Sequence, residues 1–201
     1  MPTVAAIILA AGSSTRMGQF KPLLQVNGQT LIQRAIAVFR KNRLEDIIVV
    51  TGHRAADLEA ALGRDKVHIA RNESYARGMF SSVKVGMRHL PARCTAFFVL
   101  PTDMAFVKPA TIGRLISAYR DHPGRICYPC LENRCGHPPL IPARLAHAIA
   151  DHDGKGGLRR VLKRWADLAL EVTVADPHIL HDLDTPEDLL TLGRMIRSTS
   201  I

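Results

Sequence analysis

A chain of 201 residues with 47% apolar content suits one domain with a real core, burying about two thirds of its extended surface. Its formal net charge of +9 admits nucleic acid, a membrane surface or a small polyanion as partner, yet the cations are scattered and aromatic residues make up only 5%. No basic helix with interleaved aromatics occurs, which argues against nucleic acid, and a dispersed positive field is enough to attract a small polyanion.

The apolar run Val4–Leu9 is too short for a membrane span or signal core and lacks a basic leader, so it reads as a buried first strand. The loop that follows, LAAGSSTRMG from Leu9 to Gly18, is then at a strand's carboxyl end, where open α/β sheets bind ligands. A Gly-containing turn there offers backbone N–H groups, and Arg16 and Lys21, five residues apart, match the charge of a triphosphate. The order of glycines is neither that of a P-loop nor that of a dinucleotide fingerprint, and a plain strand-to-helix turn is the competing reading.

Downstream, Thr30 caps a helix whose face is Leu31, Ile32, Ala35, Ile36 and Phe39. A β-rich run Ile47–Thr51, a helix Ala55–Leu62 and a brief strand at 67–70 follow. In NESYARGMFSSV, Gly78 permits positive φ, and Ser81 or Ser82 can cap the helix carrying Val83, Met87 and Leu90. Residues 96–100 form a wholly apolar strand, with Thr102 and Asp103 just beyond its carboxyl end, and Ile112, Leu115, Ile116 and Tyr119 mark the next helix. The alternation predicts a mostly parallel, doubly wound α/β sheet with helices on both faces.

The last third predicts a β-hairpin, 125–130 and 135–141 around Glu132, Asn133 and Arg134. A helix through Leu158, Val161, Leu162 and Trp165, an antiparallel late strand at 170–174, and a final helix starting near Thr185 complete the chain. Thr185 as cap, Pro186 in first position and the acids Glu187 and Asp188 form that helix start. With no linker or repeat, residues 1–201 read as one domain with a dispensable tail at 198–201. Four cysteines without a leader point to a reducing cytoplasm and free thiols. Cys127, Cys130, Cys135 and His137 have zinc-like spacing, but the hairpin reading is preferred and zinc is not expected.

The ordered motif LAAGSSTRMGxxK resembles the signature of the MobA-like nucleotidyltransferases, nearest to their molybdenum cofactor cytidylyltransferase branch. The resemblance implies a three-layer α/β/α Rossmann-like fold and a Mg2+ ion, with Mn2+ as a substitute, on Asp103 of LPTDM and Asp182 of HDLDTPED, Asp184 standing behind them. Arg16, Lys21 and Asp103 carry catalysis in this reading. Leu9, Ala10, Ala11, Gly12, Ser13, Asn72, Gly78, Met79, Ser81, Ser82 and Thr102, with Arg16 and Lys21, take the nucleotide; Gly136, His137 and Pro138 face the acceptor.

The implied reaction moves a nucleoside monophosphate from an NTP to the terminal phosphate of a molybdopterin-type cofactor and releases pyrophosphate. AAG at Ala10, Ala11 and Gly12, in place of the LAGG of guanylyl-transferring relatives, favours CTP over GTP. Alternatives are a nucleotidyltransferase for a sugar or polyol phosphate, and a non-catalytic chaperone delivering molybdenum cofactor to a molybdenum hydroxylase. The cysteine-rich hairpin departs from the family pattern.

Overall fold

The computed structural model describes residues 2–13, 18–63, 65–185 and 188. The strands are β1 (Val4–Leu9), β2 (Gln25–Val26), β3 (Gln29–Thr30), β4 (Ile47–Thr51), β5 (His68–Arg71), β6 (Ala96–Pro101), β7 (Ile126–Leu131), β8 (Arg134–Cys135), β9 (Leu140–Pro142) and β10 (Ala169–Thr173). The α-helices are α1 (Leu31–Arg40), α2 (Ala55–Leu62), α3 (Met79–Arg88), α4 (Pro109–Asp121), α5 (Ala146–Ala150) and α6 (Gly157–Leu162). β2 and β3 form a small separate ribbon, and the main sheet runs β5-β4-β1-β6-β9-β7-β10, with β8 on β7.

Alternation along β1 sets the layers. Ala6 and Ile8 enter one core with Leu31 and Phe39 of α1, Leu58 and Leu62 of α2, and Ile112 and Leu115 of α4. Ala5, Ile7 and Leu9 enter the other with Val83 and Met87 of α3, Ile149 of α5 and Val161 of α6. Each fully buried side chain of this kind contributes about 1.5–3 kcal/mol of transfer free energy. Gly86 lets α3 lie close on β1, since a Cβ there would overlap Ile7. Thr30 closes a capping box on α1: its hydroxyl accepts from the Gln33 N–H, and the Gln33 side chain accepts from the Thr30 N–H.

The doubly wound sheet agrees with the sequence expectation, but the late strand does not run antiparallel. β10 pairs parallel with β7, Leu170 beside Cys127. The chain between them passes through β9, α5 and α6, long enough to cross over and return in the same direction. The reversed member is β9, which is antiparallel to β6 and to β7. The predicted second hairpin arm is likewise divided into β8 and β9. The turn itself is two residues, Glu132 and Asn133, at φ 48° and 63°, the backbone form that matches strand twist in a tight hairpin.

Free thiols were expected at all four cysteines; Cys130 and Cys135 are instead disulfide-bonded, while Cys94 and Cys127 are free. The hairpin register sets Cys130 directly against Cys135, their Cα atoms 4.0 Å apart. Nor do Cys127 and Cys130 share a face, because positions three apart on a strand project to opposite sides. Cys127 lies in the core, where burial pushes its thiol up to about 11 and keeps it protonated. The zinc-like spacing therefore does not bring its four residues together.

Of the predicted final helix, only the start at Thr185 and Asp188 is described. The Asp188 carboxylate accepts from the Asp184 and Thr185 N–H groups at 2.8 and 2.7 Å, and the Asp188 N–H donates to Thr185 Oγ1. The rest of that helix and the tail lie outside the described residues.

A buried carboxylate pins the C-terminal segment to α4. Asp176 Oδ2 accepts from the Lys108 N–H and Thr111 Oγ1 at 2.8 and 2.7 Å; Oδ1 accepts from the His178 N–H and stands 3.1 Å from His178 Nδ1. Burial alone would raise this carboxyl, and these hydrogen bonds outweigh it and hold it below the usual range. Its contribution is complete above the ordinary aspartate value of about 4 and is lost as pH falls through the lower folded value. In urea denaturation near neutral pH, Asp176→Ala should lower stability by about 3 kcal/mol, since several buried donors lose their acceptor. A loss below about 0.5 kcal/mol, the ordinary surface-substitution range, would contradict this role.

Candidate functional site

β1 and β6 are parallel neighbours in register, Leu9 beside Pro101, so the chain leaves both strands at one edge of the sheet. Thr102 Oγ1 donates to the Leu9 carbonyl at 3.1 Å, joining the two exits. On the other side of β1, the Ala10 N–H donates to Val50 O and the His53 N–H donates to Ala11 O. Gly52 makes that approach close: a Cβ there would stand 2.7 Å from Ala11 Cβ and 2.9 Å from Tyr75 Cβ.

These exits open on a cavity of about 700 Å³. Of the sequence-predicted residues, Leu9, Ala11, Gly12, Ser13, Lys21, Gly78, Met79, Ser82, Thr102, Asp103 and Asp184 line it. Ala10 instead packs into the core on the alternate side of the strand exit. Asn72 is buried and braces the loop before α3: its amide donates to Ser81 and Ser82 hydroxyls at 2.8 and 2.9 Å, and its carbonyl oxygen accepts from the Ser74 N–H. Ser81 is not in the lining and donates to the backbone carbonyls of Ser74 and Gly78. Arg16 lies outside the described residues.

The lining also holds residues passed over in the sequence, chiefly His53 and Tyr75. His53 sits between the Phe20 and Tyr75 rings, centroids 5.9 and 6.0 Å away. The available signal was position: His53 follows β4, whose carboxyl end shares the edge of β1.

Lys21, largely buried, places Nζ 2.6 Å from Asp184 Oδ1 and 3.9 Å from Asp103 Oδ2. Burial pushes the Asp103 carboxyl up to about 6; the Lys21 ammonium opposes that shift, and the Asp182 and Asp184 carboxylates add to it. Asp182 is exposed and outside the cavity lining, but the Leu183 N–H donates to Asp103 O and ties its segment to the Asp103 turn. Hard oxygen donors that repel one another beside an open cavity fit a divalent cation that keeps several waters. Asp103 at the cavity and the nearby Asp182 offer such donors, while Asp184 is engaged by Lys21.

Gly136, His137 and Pro138 stand apart from this lining. The His137 N–H donates to Ile179 O, and a Cβ on Gly136 would overlap that same carbonyl, so the segment is clamped to the Pro177–Leu180 turn. Burial holds the His137 imidazole below its ordinary value, and its Nδ1 has no hydrogen-bond partner among the described residues.

Residues 6–169 match the model of the MobA-like NTP transferase domain. The chain belongs to this family. Over 95% of its length it is 29% identical to the molybdenum cofactor cytidylyltransferase of Escherichia coli strain K12, covering 96% of that protein. It is equally 29% identical to the nicotine blue oxidoreductase of Paenarthrobacter nicotinovorans, over 96% of this chain and 97% of that one. Among solved structures, Rv0371c of Mycobacterium tuberculosis H37Rv superposes with a TM-score of 0.81 at 24% identity, covering 95% of this chain and 97% of that one. A manganese complex of that protein gives 0.75. The fold is thus that of nucleotidyltransferases, and the chain is a MobA-like nucleotidyltransferase. No helix among the described residues is long and apolar enough to cross a membrane.

Because protons compete with a cation for Asp103, Mn2+ affinity measured by electron paramagnetic resonance should fall as pH drops through about 6. Asp103→Asn should weaken binding and flatten that dependence. An affinity unchanged across this pH range would remove Asp103 from the metal site.

Proposed function

We propose that the protein transfers the cytidylyl group of CTP to the terminal phosphate of a molybdopterin-type acceptor, in the cytoplasm and with Mg2+. The observation that carries this reading is the convergence of the Ala11 to Ser13 loop, the Lys21 ammonium and the Asp103 and Asp184 carboxylates on one cavity. The named activity of the Escherichia coli relative supports the choice of reaction.

An acceptor phosphate oxygen attacks the α-phosphorus of CTP, forming a new P–O bond as the bond to the bridging oxygen breaks and pyrophosphate leaves with the electron pair. A phosphate monoester is already anionic near neutral pH, so no side chain has to remove a proton. Catalysis then rests on alignment and charge. Lys21 moves its charge from Asp184 toward the incoming triphosphate, and Arg16 adds a second cation. Asp103 and Asp182 would hold Mg2+, which would supply neutralisation of the phosphate charge. Gly78 and, in the first turn of α3, Met79 and Ser82 line the cavity for base and ribose, in a segment braced by Asn72. Gly136, His137 and Pro138, outside the nucleotide cavity, meet the acceptor, whose cytidylylated product goes on to a molybdenum hydroxylase.

The Ala11 methyl supports CTP over GTP. It lies close to Gly52, where an added Cβ would come within 2.7 Å of it, so it has little room to yield to a purine. A contact of one methyl group discriminates by about 1–3 kcal/mol, roughly 10- to 200-fold. In a pyrophosphate-release assay with Mg2+ and molybdopterin, CTP should therefore exceed GTP in kcat/KM by at least roughly tenfold. Ala11→Gly should narrow the gap. Sugar and polyol phosphates offered in parallel should give little product. Equal use of CTP and GTP would overturn the base assignment; faster turnover with a sugar phosphate would overturn the acceptor, and no pyrophosphate with any acceptor would favour a carrier.

A further inference from the structure

The β7–β8 hairpin carries a cluster of ligating atoms that the nucleotide site does not use. Cys130 and Cys135 oppose one another across the turn. Glu171 of β10 is registered beside Tyr128, so its side chain leaves the sheet on the same side as Cys130. Both sulfurs and a Glu171 carboxylate oxygen lie within 4.8 Å of one another. Cys130 is buried, Cys135 and Glu171 are exposed, and none of them lines the nucleotide cavity.

We propose that Cys130, Cys135 and Glu171 form a thiol-dependent site for a borderline-soft divalent cation of the zinc type, available when the sulfurs are reduced and closed by the disulfide. Bond lengths of about 2.3 Å to sulfur and about 2.0–2.2 Å to oxygen imply ligand-to-ligand edges of roughly 3.5–3.8 Å around a tetrahedral ion. The three ligand atoms already lie within 4.8 Å of one another, and reduction frees the two sulfurs to part from bonding distance. Two thiolates select zinc over magnesium, which prefers oxygen ligands. The exposed side leaves the fourth position to water.

The exchange balances with a dithiol as reductant. Its thiolate attacks one sulfur of the Cys130–Cys135 bond, the S–S bond breaks, and the mixed disulfide resolves to the oxidised reductant and two protein thiols. The cation then displaces two protons and binds both thiolates and the Glu171 carboxylate. In place of the S–S bond it clips the hairpin to β10. A reducing compartment keeps this site open and an oxidising one closes it.

The full chain, reduced with dithiothreitol and desalted without air, is titrated with Co2+ as a spectroscopic stand-in for Zn2+. The expected result is near-ultraviolet thiolate-to-cobalt absorption saturating at about one ion per chain and bleached by added Zn2+. The air-oxidised chain and Cys135→Ser should lack the absorption, and Glu171→Gln should weaken Co2+ binding by roughly tenfold or more. Cation held only by the carboxylates around Asp103 gives no thiolate absorption, so the two sites are read separately. The proposal is overturned if the reduced chain shows no such absorption, if Cys135→Ser retains it, or if Glu171→Gln binds with unchanged affinity.

Discussion

The parallel pairing of β1 with β6 is the constraint on which the site depends. Six consecutive register pairs, from Val4 beside Ala96 to Leu9 beside Pro101, bring chain segments more than ninety residues apart to a common edge. The glycine-containing loop and Asp103 have no local reason to meet. They meet because both strands are buried on both faces and neither can slip by one residue without turning its core side chains to the wrong layer. The bond from Thr102 Oγ1 to Leu9 O then closes the gap at the exits.

Placing carboxylates there is unfavourable without a cation. Asp103 is largely buried, feels Asp182 and Asp184, and is held at about 6, more than a unit above an ordinary aspartate. Lys21 offsets part of this cost, close against Asp184 and at the limit of an ion pair with Asp103. In the proposed function, a triphosphate and a divalent cation would relieve this electrostatic strain together, the anion taking up Lys21 and the cation taking up the carboxylates. That complementarity favours a metal nucleotide over either ion alone. It gives the two equally similar relatives a point of comparison, because a shared fold leaves the reaction to be argued from the site.

Much of this was legible in the sequence because the signals are local. The run Val4–Leu9, the apolar strand at 96–100, the Thr30 cap and the presence of a turn around Glu132 and Asn133 each state their structure within a few residues. Features decided by distant parts of the chain were not legible. The direction of β10 depends on the crossover before it. Asp176 carries no motif, because its four donors come from α4 and from the turn after it. Within the site, motif membership did not separate residues that line the cavity from those that hold them. Asn72 and Ser81 spend their hydrogen bonds on the loop, and Ala10 faces the core, whereas His53 and Tyr75, outside the motif, reach the cavity.

The proposed function requires that one cavity receive both nucleotide and metal. Crystals grown with CTP and Mg2+ test this directly by the position of the triphosphate. Phosphate density is expected between the Gly12 to Ser13 loop and Lys21, with a cation against Asp103 and Asp182 and the Lys21 ammonium drawn from Asp184 toward the phosphates. Nucleotide bound elsewhere on the chain, or a triphosphate in this cavity with its cation remote from Asp103, would contradict it.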